Sequence, residues 1–132
     1  MGTIPIGARR EEKILVTSDV AIDFMGVDSA RVLSTPHLVG FLEMTCRNLL
    51  KQMVGDGRDS VGTRVDVAHL AATPIGMQVR LQGEIVSVSD HRVNFRVEAY
   101  DEREKVGEGT HERFIVDVAR FASRVQAKAA AK

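Results

Sequence analysis

The sequence predicts an α+β domain in which one long helix packs on an antiparallel sheet of about five strands. Two observations carry this prediction. Between Pro36 and Gly55, Leu38, Leu42, Cys46, Leu49 and Met53 recur at helical spacing, and Val39, Phe41 and Leu50 widen the stripe. A helix apolar over so much of its surface must be wrapped by the rest of the chain. Downstream of it, successive segments alternate apolar and polar residues, as antiparallel strands with one buried face do.

Taken in order, residues 11–17 (Glu-Glu-Lys-Ile-Leu-Val-Thr) read as a first strand, and a loop of mixed character runs from Ser18 to Leu33. Ser34 or Thr35 can cap the helix. Pro36 suits its first turn, where the missing N–H would be unpaired anyway, and Gly55 is a natural stop. In the next strand Val61, Thr63, Val65, Val67 and His69 share one face. Thr73-Pro74-Ile75-Gly76 reads as a hairpin turn. Met77, Val79, Leu81, Gly83 and Ile85 then alternate with Gln78, Arg80, Gln82 and Glu84, and Val93, Phe95, Val97 and Ala99 with Asn94, Arg96 and Glu98. After a charged turn, Asp101 to Lys105, a last strand extends from Val106 to about Phe121. Its Phe114, Val116 and Val118 keep one parity while Gly107, Gly109, His111 and Arg113 hold the other, which a bulge or a strand shared between two environments would produce. Residues 1–10 and the tail from Ala122 read as peripheral ends, the tail with helix propensity but no apolar stripe. The 132 residues are expected to form a single domain.

Composition narrows the function. Lysine plus arginine total 18, aspartate plus glutamate total 18, and aromatics are 5%. A balanced charge and few stacking platforms argue against a nucleic-acid or anionic-membrane partner. Cys46 is the single cysteine, which excludes an internal disulfide and a cysteine-rich zinc site and fits a reducing compartment. No stretch has the length of apolar residues that a membrane span needs, and the first residues lack the apolar core of a signal peptide. A cytoplasmic protein is expected. His37, His69, His91 and His111 show no metal-ligand spacing, and no phosphate-binding glycine motif is present.

Glu43 is the first anomaly, because it falls inside the apolar stripe rather than opposite it. A carboxylate there is paired, hydrogen-bonded or raised in pKa, and a stripe-edge glutamate reaching water fits as well as a functional one. His69 has the parity of Val65 and Val67, the face the helix should cover. A lone histidine in that place is more often a satisfied core residue than a catalyst. Helix and strand must pack together, however, so Glu43 and His69 could share a pocket and supply a nucleophile or base and a proton shuttle. Thr35 stands at the helix start, sufficiently explained as a cap, yet only about two turns from Glu43. Gly62, beside the turn-forming Asp59-Ser60, leaves the strand backbone open to a ligand or merely serves the turn.

These segments resemble a known family. Thr35-Pro-His-Leu-Val-Gly-Phe-Leu-Glu43, Ser60-Val-Gly-Thr-Arg-Val-Asp-Val-Ala-His69-Leu-Ala-Ala-Thr-Pro-Ile-Gly76, Asn94-Phe-Arg-Val-Glu-Ala-Tyr-Asp101 and Val106-Gly-Glu-Gly-Thr-His-Glu-Arg113 are similar, in order and spacing, to the hotdog-fold thioesterases, and within them to the fluoroacetyl-CoA thioesterase-like branch. The resemblance implies a central helix wrapped by an antiparallel sheet, and a homodimer, possibly paired further into a tetramer. It implies active sites at the dimer interface that draw on both subunits and hydrolyse acyl-CoA without metal or organic cofactor. By position it places the catalytic threonine, glutamate and histidine on Thr35, Glu43 and His69, the glycine facing the thioester carbonyl on Gly62, and an arginine near the site on Arg113. The loop carrying Phe24, Met25 and Val27 would line the acyl pocket, for a small or medium acyl group. Two other hotdog roles share parts of this pattern, a non-catalytic acyl-CoA-binding module and an enoyl-CoA hydratase; Glu43 on the helix ahead of the strand with His69 favours the thioesterase.

Overall fold

The computed structural model describes residues 3–131; Met1, Gly2 and Lys132, which belong to the two ends read as peripheral, lie outside the described residues. The elements follow as β1 (Arg9–Leu15), α1 (Thr35–Val54), β2 (Arg58–His69), β3 (Gln78–Ser89), β4 (Arg92–Tyr100), β5 (Lys105–Asp117) and α2 (Val118–Ala130), with single 3-10 turns at Ser18–Val20 and Asp28–Ala30 before α1. The five strands form one antiparallel sheet in the order β1-β3-β4-β5-β2. The α+β architecture is as the sequence predicts.

α1 lies on one face of this sheet. Ser34 caps it, its hydroxyl accepting the His37 N–H at 3.2 Å, and Pro36 fills the first turn. Gly55 ends it with a positive φ of 81°. Leu38, Leu42, Cys46 and Leu50 are buried against Val79, Leu81, Ile85, Val93, Phe95 and Val97 of β3 and β4. The helix sits so close to β3 that a Cβ on Gly83 would lie 2.9 Å from the Cys46 sulfur. At the other side of the helix, Glu12 of β1 accepts hydrogen bonds from Thr45 (2.8 Å) and Asn48 (2.9 Å), tying that edge strand down.

Four details differ from the sequence reading. The turn at Thr73–Gly76 is real, and Gly76 takes a φ of 96°, but it does not join neighbouring strands. β2 and β3 lie in different parts of the sheet, so the turn ends a crossover, and the Gly76 N–H bonds to the Val16 carbonyl at 2.8 Å. The first strand starts at Arg9, and Ile4 before it is buried in the core. The last strand stops at Asp117 rather than Phe121, because the Asp117 side chain accepts the Arg120 N–H at 3.0 Å and starts a helix. That helix, α2, buries no residue; Val118, Phe121 and Val125 form an apolar strip along it that the spacing of three and four residues permits.

The fourth difference positions the site. The pairing of β2 with β5 shifts between Gly62 and Arg64, so Thr63 is a bulge. Val65, Val67 and His69 share one face as expected, paired with His111, Gly109 and Gly107. Val61 and Thr63 do not join them. Before the bulge the parity reverses, and Ser60 and Gly62 take the helix-facing side in their place. β2 is also an edge of the sheet, with its outer backbone unpaired and its stretch from Gly62 to Asp66 exposed.

Because Leu42 is buried in the middle of the helix–sheet contact, Leu42→Ala should lower the unfolding free energy by about 2–5 kcal/mol. Urea denaturation followed by circular dichroism measures it; an unchanged midpoint would contradict this packing.

Candidate active site

The residues singled out from the sequence assemble into two groups. The first joins the start of α1 to the end of β2. Thr35 Oγ1 lies 2.7 Å from His69 Nδ1. The other ring nitrogen, Nε2, is buried and has no hydrogen-bond partner among the described residues. A hydroxyl can donate or accept, so Thr35 satisfies Nδ1 in either tautomer and leaves Nε2 free as a base or as an N–H acid. Burial pushes the imidazole pKa down, the Ala71 backbone opposing it, which keeps the ring neutral at pH 7. Thr35 and His69 border a cavity of about 400 Å³ walled by Ile22, Phe24, Leu33 and Leu70. Phe24 stands at its mouth, 77% exposed.

The second group lies between α1, β2 and β5. The Glu43 carboxylate occupies the space over Gly62: a Cβ there would sit 2.6 Å from Glu43 Oε2. Any side chain larger than hydrogen would have to displace the acid. Arg113, cross-strand from Gly62, places a guanidinium nitrogen 3.8 Å from the same oxygen. Arg113 is only 6% exposed. Its Nε donates to Ser60 Oγ (2.7 Å), a terminal nitrogen to the Ser60 carbonyl (2.8 Å), and another to His111 Nε2 (3.2 Å). His111 Nδ1 in turn donates to the Arg64 carbonyl at 2.8 Å, which fixes the tautomer that leaves Nε2 as an acceptor. The acceptors holding the guanidinium are thus neutral, and the charge it faces is that of Glu43. Burial lowers the Arg113 pKa and the half-buried Glu43 raises it again.

Ser60 and His111 are the residues that the sequence reading missed as parts of this site. His111 carries a weak signal, a buried-parity histidine two residues before Arg113. Ser60 carries none, since its partner is 53 residues away. Cys46 is close by but chemically idle, because burial pushes its thiol up to about 12. Among the described residues no group of His, Cys, Asp and Glu is placed to hold a metal ion.

Within one chain the two groups do not meet, so the shared pocket expected for Glu43 and His69 is not formed there. Gly62 and His69 are seven residues apart on an extended strand, about 20 Å. The Glu43 carboxylate touches the Gly62 end and the Thr35 hydroxyl the His69 end.

His111 makes this network sensitive to acid. Burial pushes its pKa below 6.5, the Arg64 carbonyl pulls it up, and the Arg113 guanidinium pushes it down again. The folded protein therefore binds the proton less well than the unfolded chain, so the contribution to stability is complete above about pH 6.5 and is lost as pH falls through the folded pKa. Melting temperatures measured from pH 7.5 to 5.5 should fall more steeply for the wild type than for His111→Gln, which keeps an acceptor for Arg113 without the titration. Equal slopes would contradict the arrangement.

The geometry can be set beside known proteins. The family model for the fluoroacetyl-CoA-specific thioesterase matches residues 16–119. A fluoroacetyl-CoA thioesterase of Streptantibioticus cattleyicolor is 36% identical over 97 residues, covering 74% of this chain and 70% of that protein. The solved structure of the fluoroacetyl-CoA thioesterase FlK superposes with a TM-score of 0.88 at 28% identity, covering 96% of this chain and 98% of the other. Variants of FlK have been solved with fluoroacetate and CoA and with acetyl-CoA. A thioesterase-superfamily protein of Thermus thermophilus gives a TM-score of 0.87 at 27% identity, covering 96% of this chain and 94% of the other. With the five-stranded antiparallel sheet wrapped on α1, these matches show that the chain belongs to the fluoroacetyl-CoA thioesterase family of hotdog-fold acyl-CoA thioester hydrolases.

Proposed function

We propose that the protein hydrolyses a small or medium acyl-CoA thioester at a site composed across a homodimer. The observation that carries this reading is the separation of the two groups along β2, together with the free outer edge of that strand. An antiparallel two-fold pairing of β2 with the same strand of a second copy turns the strand end for end. The Gly62 end of one chain then lies beside the His69 end of the other. Glu43, Gly62 and Arg113 of one protomer would then face the partner's Thr35 and the partner's His69, and each dimer would hold two such sites. The exposed Val65 in the middle of the strand would be covered by the same pairing.

The residues then take distinct roles. The acyl group enters the apolar cavity beside Phe24, whose size suits short chains better than long ones. The Gly62 backbone N–H polarises the thioester carbonyl. Glu43, beside the Arg113 guanidinium, either attacks the carbonyl carbon or takes a proton from an attacking water. His69 Nε2 relays a proton from the attacking water to the departing CoA thiolate and returns to its neutral form, with Thr35 held on Nδ1 to orient the ring. Arg113 offsets the charge that Glu43 carries in the resting site. Apolar contacts discriminate acyl chains by only about 1–3 kcal/mol per methylene, so a graded preference is expected rather than a single substrate.

Free-thiol release from a panel of acetyl- to octanoyl-, fluoroacetyl- and aryl-acyl-CoA tests this reading. Glu43→Ala and His69→Ala should each lower kcat by about 100-fold or more on the preferred substrate, as removal of a general base or nucleophile does. Near-wild-type turnover in either variant would overturn the assignment. Tight binding of acyl-CoA that is left intact by the wild type would mark a binding module instead.

A further inference from the structure

The segment between β1 and α1 runs outward and turns back on itself. Its outgoing limb, residues 20–22, lies antiparallel to its returning limb, residues 32–34. The Ile22 N–H donates to the Val32 carbonyl and the Ser34 N–H to the Val20 carbonyl, both at 2.9 Å. The returning limb is anchored to the domain, since the Leu33 N–H donates to the Thr73 carbonyl at 2.9 Å and Leu33 is buried. Between the limbs, residues 23–30 form a tip on which Phe24, Met25 and Val27 are exposed. Among the described residues the hydrogen bonds of this tip are local, from the Ala30 N–H to the Val27 carbonyl and from the Arg31 N–H to the Asp28 carbonyl. The place of the Phe24 ring at the mouth of the acyl cavity is therefore set by how the two limbs are joined.

Arg31 makes that join. From the head of the returning limb its side chain reaches the outgoing one, where Nε donates to the Ile22 carbonyl at 3.0 Å. One terminal nitrogen donates to the Ser18 hydroxyl at 2.9 Å, and the other to the Ser18 and Ala21 carbonyls at 2.9 and 3.3 Å. Four uncharged oxygens thus converge on one planar fork, a geometry that the point charge of an ammonium does not reproduce. Ile22 and Phe24 are walls of the cavity that holds Thr35 and His69, and Arg31 is not, so Arg31 acts on an acyl group through them. We propose that Arg31 is a positioning residue for acyl selectivity: by clasping the outgoing limb it sets how far Phe24 closes the cavity mouth, and hence how long an acyl chain the site accepts. This inference rests on the acyl-CoA reading above and concerns the choice of acyl group rather than the cleavage step.

The test follows chain-length preference in the wild type, Arg31→Ala, Phe24→Ala and the double variant. Arg31→Ala should raise the octanoyl-to-acetyl ratio of kcat/KM about fivefold or more, through KM, while kcat on acetyl-CoA stays within about threefold of the wild type. Because Arg31 acts through Phe24, adding Arg31→Ala to Phe24→Ala should change the ratio no further. A ratio that Arg31→Ala leaves unchanged or lowers, an equal loss on both substrates, or a further shift in the double variant would overturn the proposal. Absence of turnover by the wild type on every acyl-CoA would instead mark the failure of the acyl-CoA reading. The clasp can be read without turnover as well. The chain has no tryptophan, so Phe24→Trp carries a single reporter at the mouth. Adding Arg31→Ala to it should lower the fluorescence anisotropy, and equal anisotropy overturns the proposal. Arg31→Lys, which keeps the charge but not the fork, replaces Arg31→Ala where that variant does not fold; it should move both readings in the same direction, and wild-type values in it would overturn the clasp.

Discussion

A guanidinium out of reach of water has to be answered by the fold, and around Arg113 much of the site is arranged to do so. Ser60 offers both its hydroxyl and its carbonyl, His111 offers a ring nitrogen, and Glu43 supplies the opposite charge. Each of these depends on a backbone feature. Ser60 and Gly62 face inward because Thr63 bulges, and His111 presents the correct nitrogen because Arg64, just past the bulge, turns its carbonyl to the other. Gly62 lacks a side chain because the Glu43 carboxylate fills that volume. With its other acceptors neutral, the guanidinium has the Glu43 carboxylate as its counter-charge, and the pair fixes where that carboxylate sits.

The same bulge divides β2 into two ends with different chemistry. One end presents a carboxylate and an arginine, and the other a histidine oriented by a threonine. A strand holds its residues apart by a fixed rise, so no side-chain rearrangement within one chain can bring those ends together. The proposed pairing of the exposed edge with a second copy would do so directly, and it would also cover backbone groups that an unprotected edge otherwise offers to unrelated strands. In this account, dimer formation and active-site assembly are one event.

Much of this was legible in the sequence, and the parts that were not share a cause. α1 announces itself by Pro36, Gly55 and the apolar stripe, and β3 and β4 by their alternation, because these patterns are local. Glu43 and His69 stood out since each broke or joined a pattern in an unexpected way. The bulge did not stand out: Val61 and Thr63 continue the alternation of Val65 and Val67, and only pairing with β5 shows that they face away. Ser60 reads as an ordinary turn residue until Arg113 reaches it. The sequence places Val118 to Phe121 in the last strand and the residues from Ala122 in a peripheral tail, because Val118, Phe121 and Val125 are separated by alanine, arginine and serine, a narrow strip that shows once Asp117 has set the phase of the helix. The separation of Glu43 from His69 depended on strand length and on which strand lies at the edge, and topology of that kind leaves no local mark.

The most direct test of the composite site is to combine two inactive chains. Co-expressed Glu43→Ala and His69→Ala protomers form mixed dimers in which one site has both defects and the other has neither. If Glu43 and His69 come from different chains, random mixing should restore about a quarter of the wild-type thiol-release rate, since half the dimers then carry one intact site of two. If the mixed preparation stays as inactive as each variant alone, the site is built within a single chain and the account is wrong.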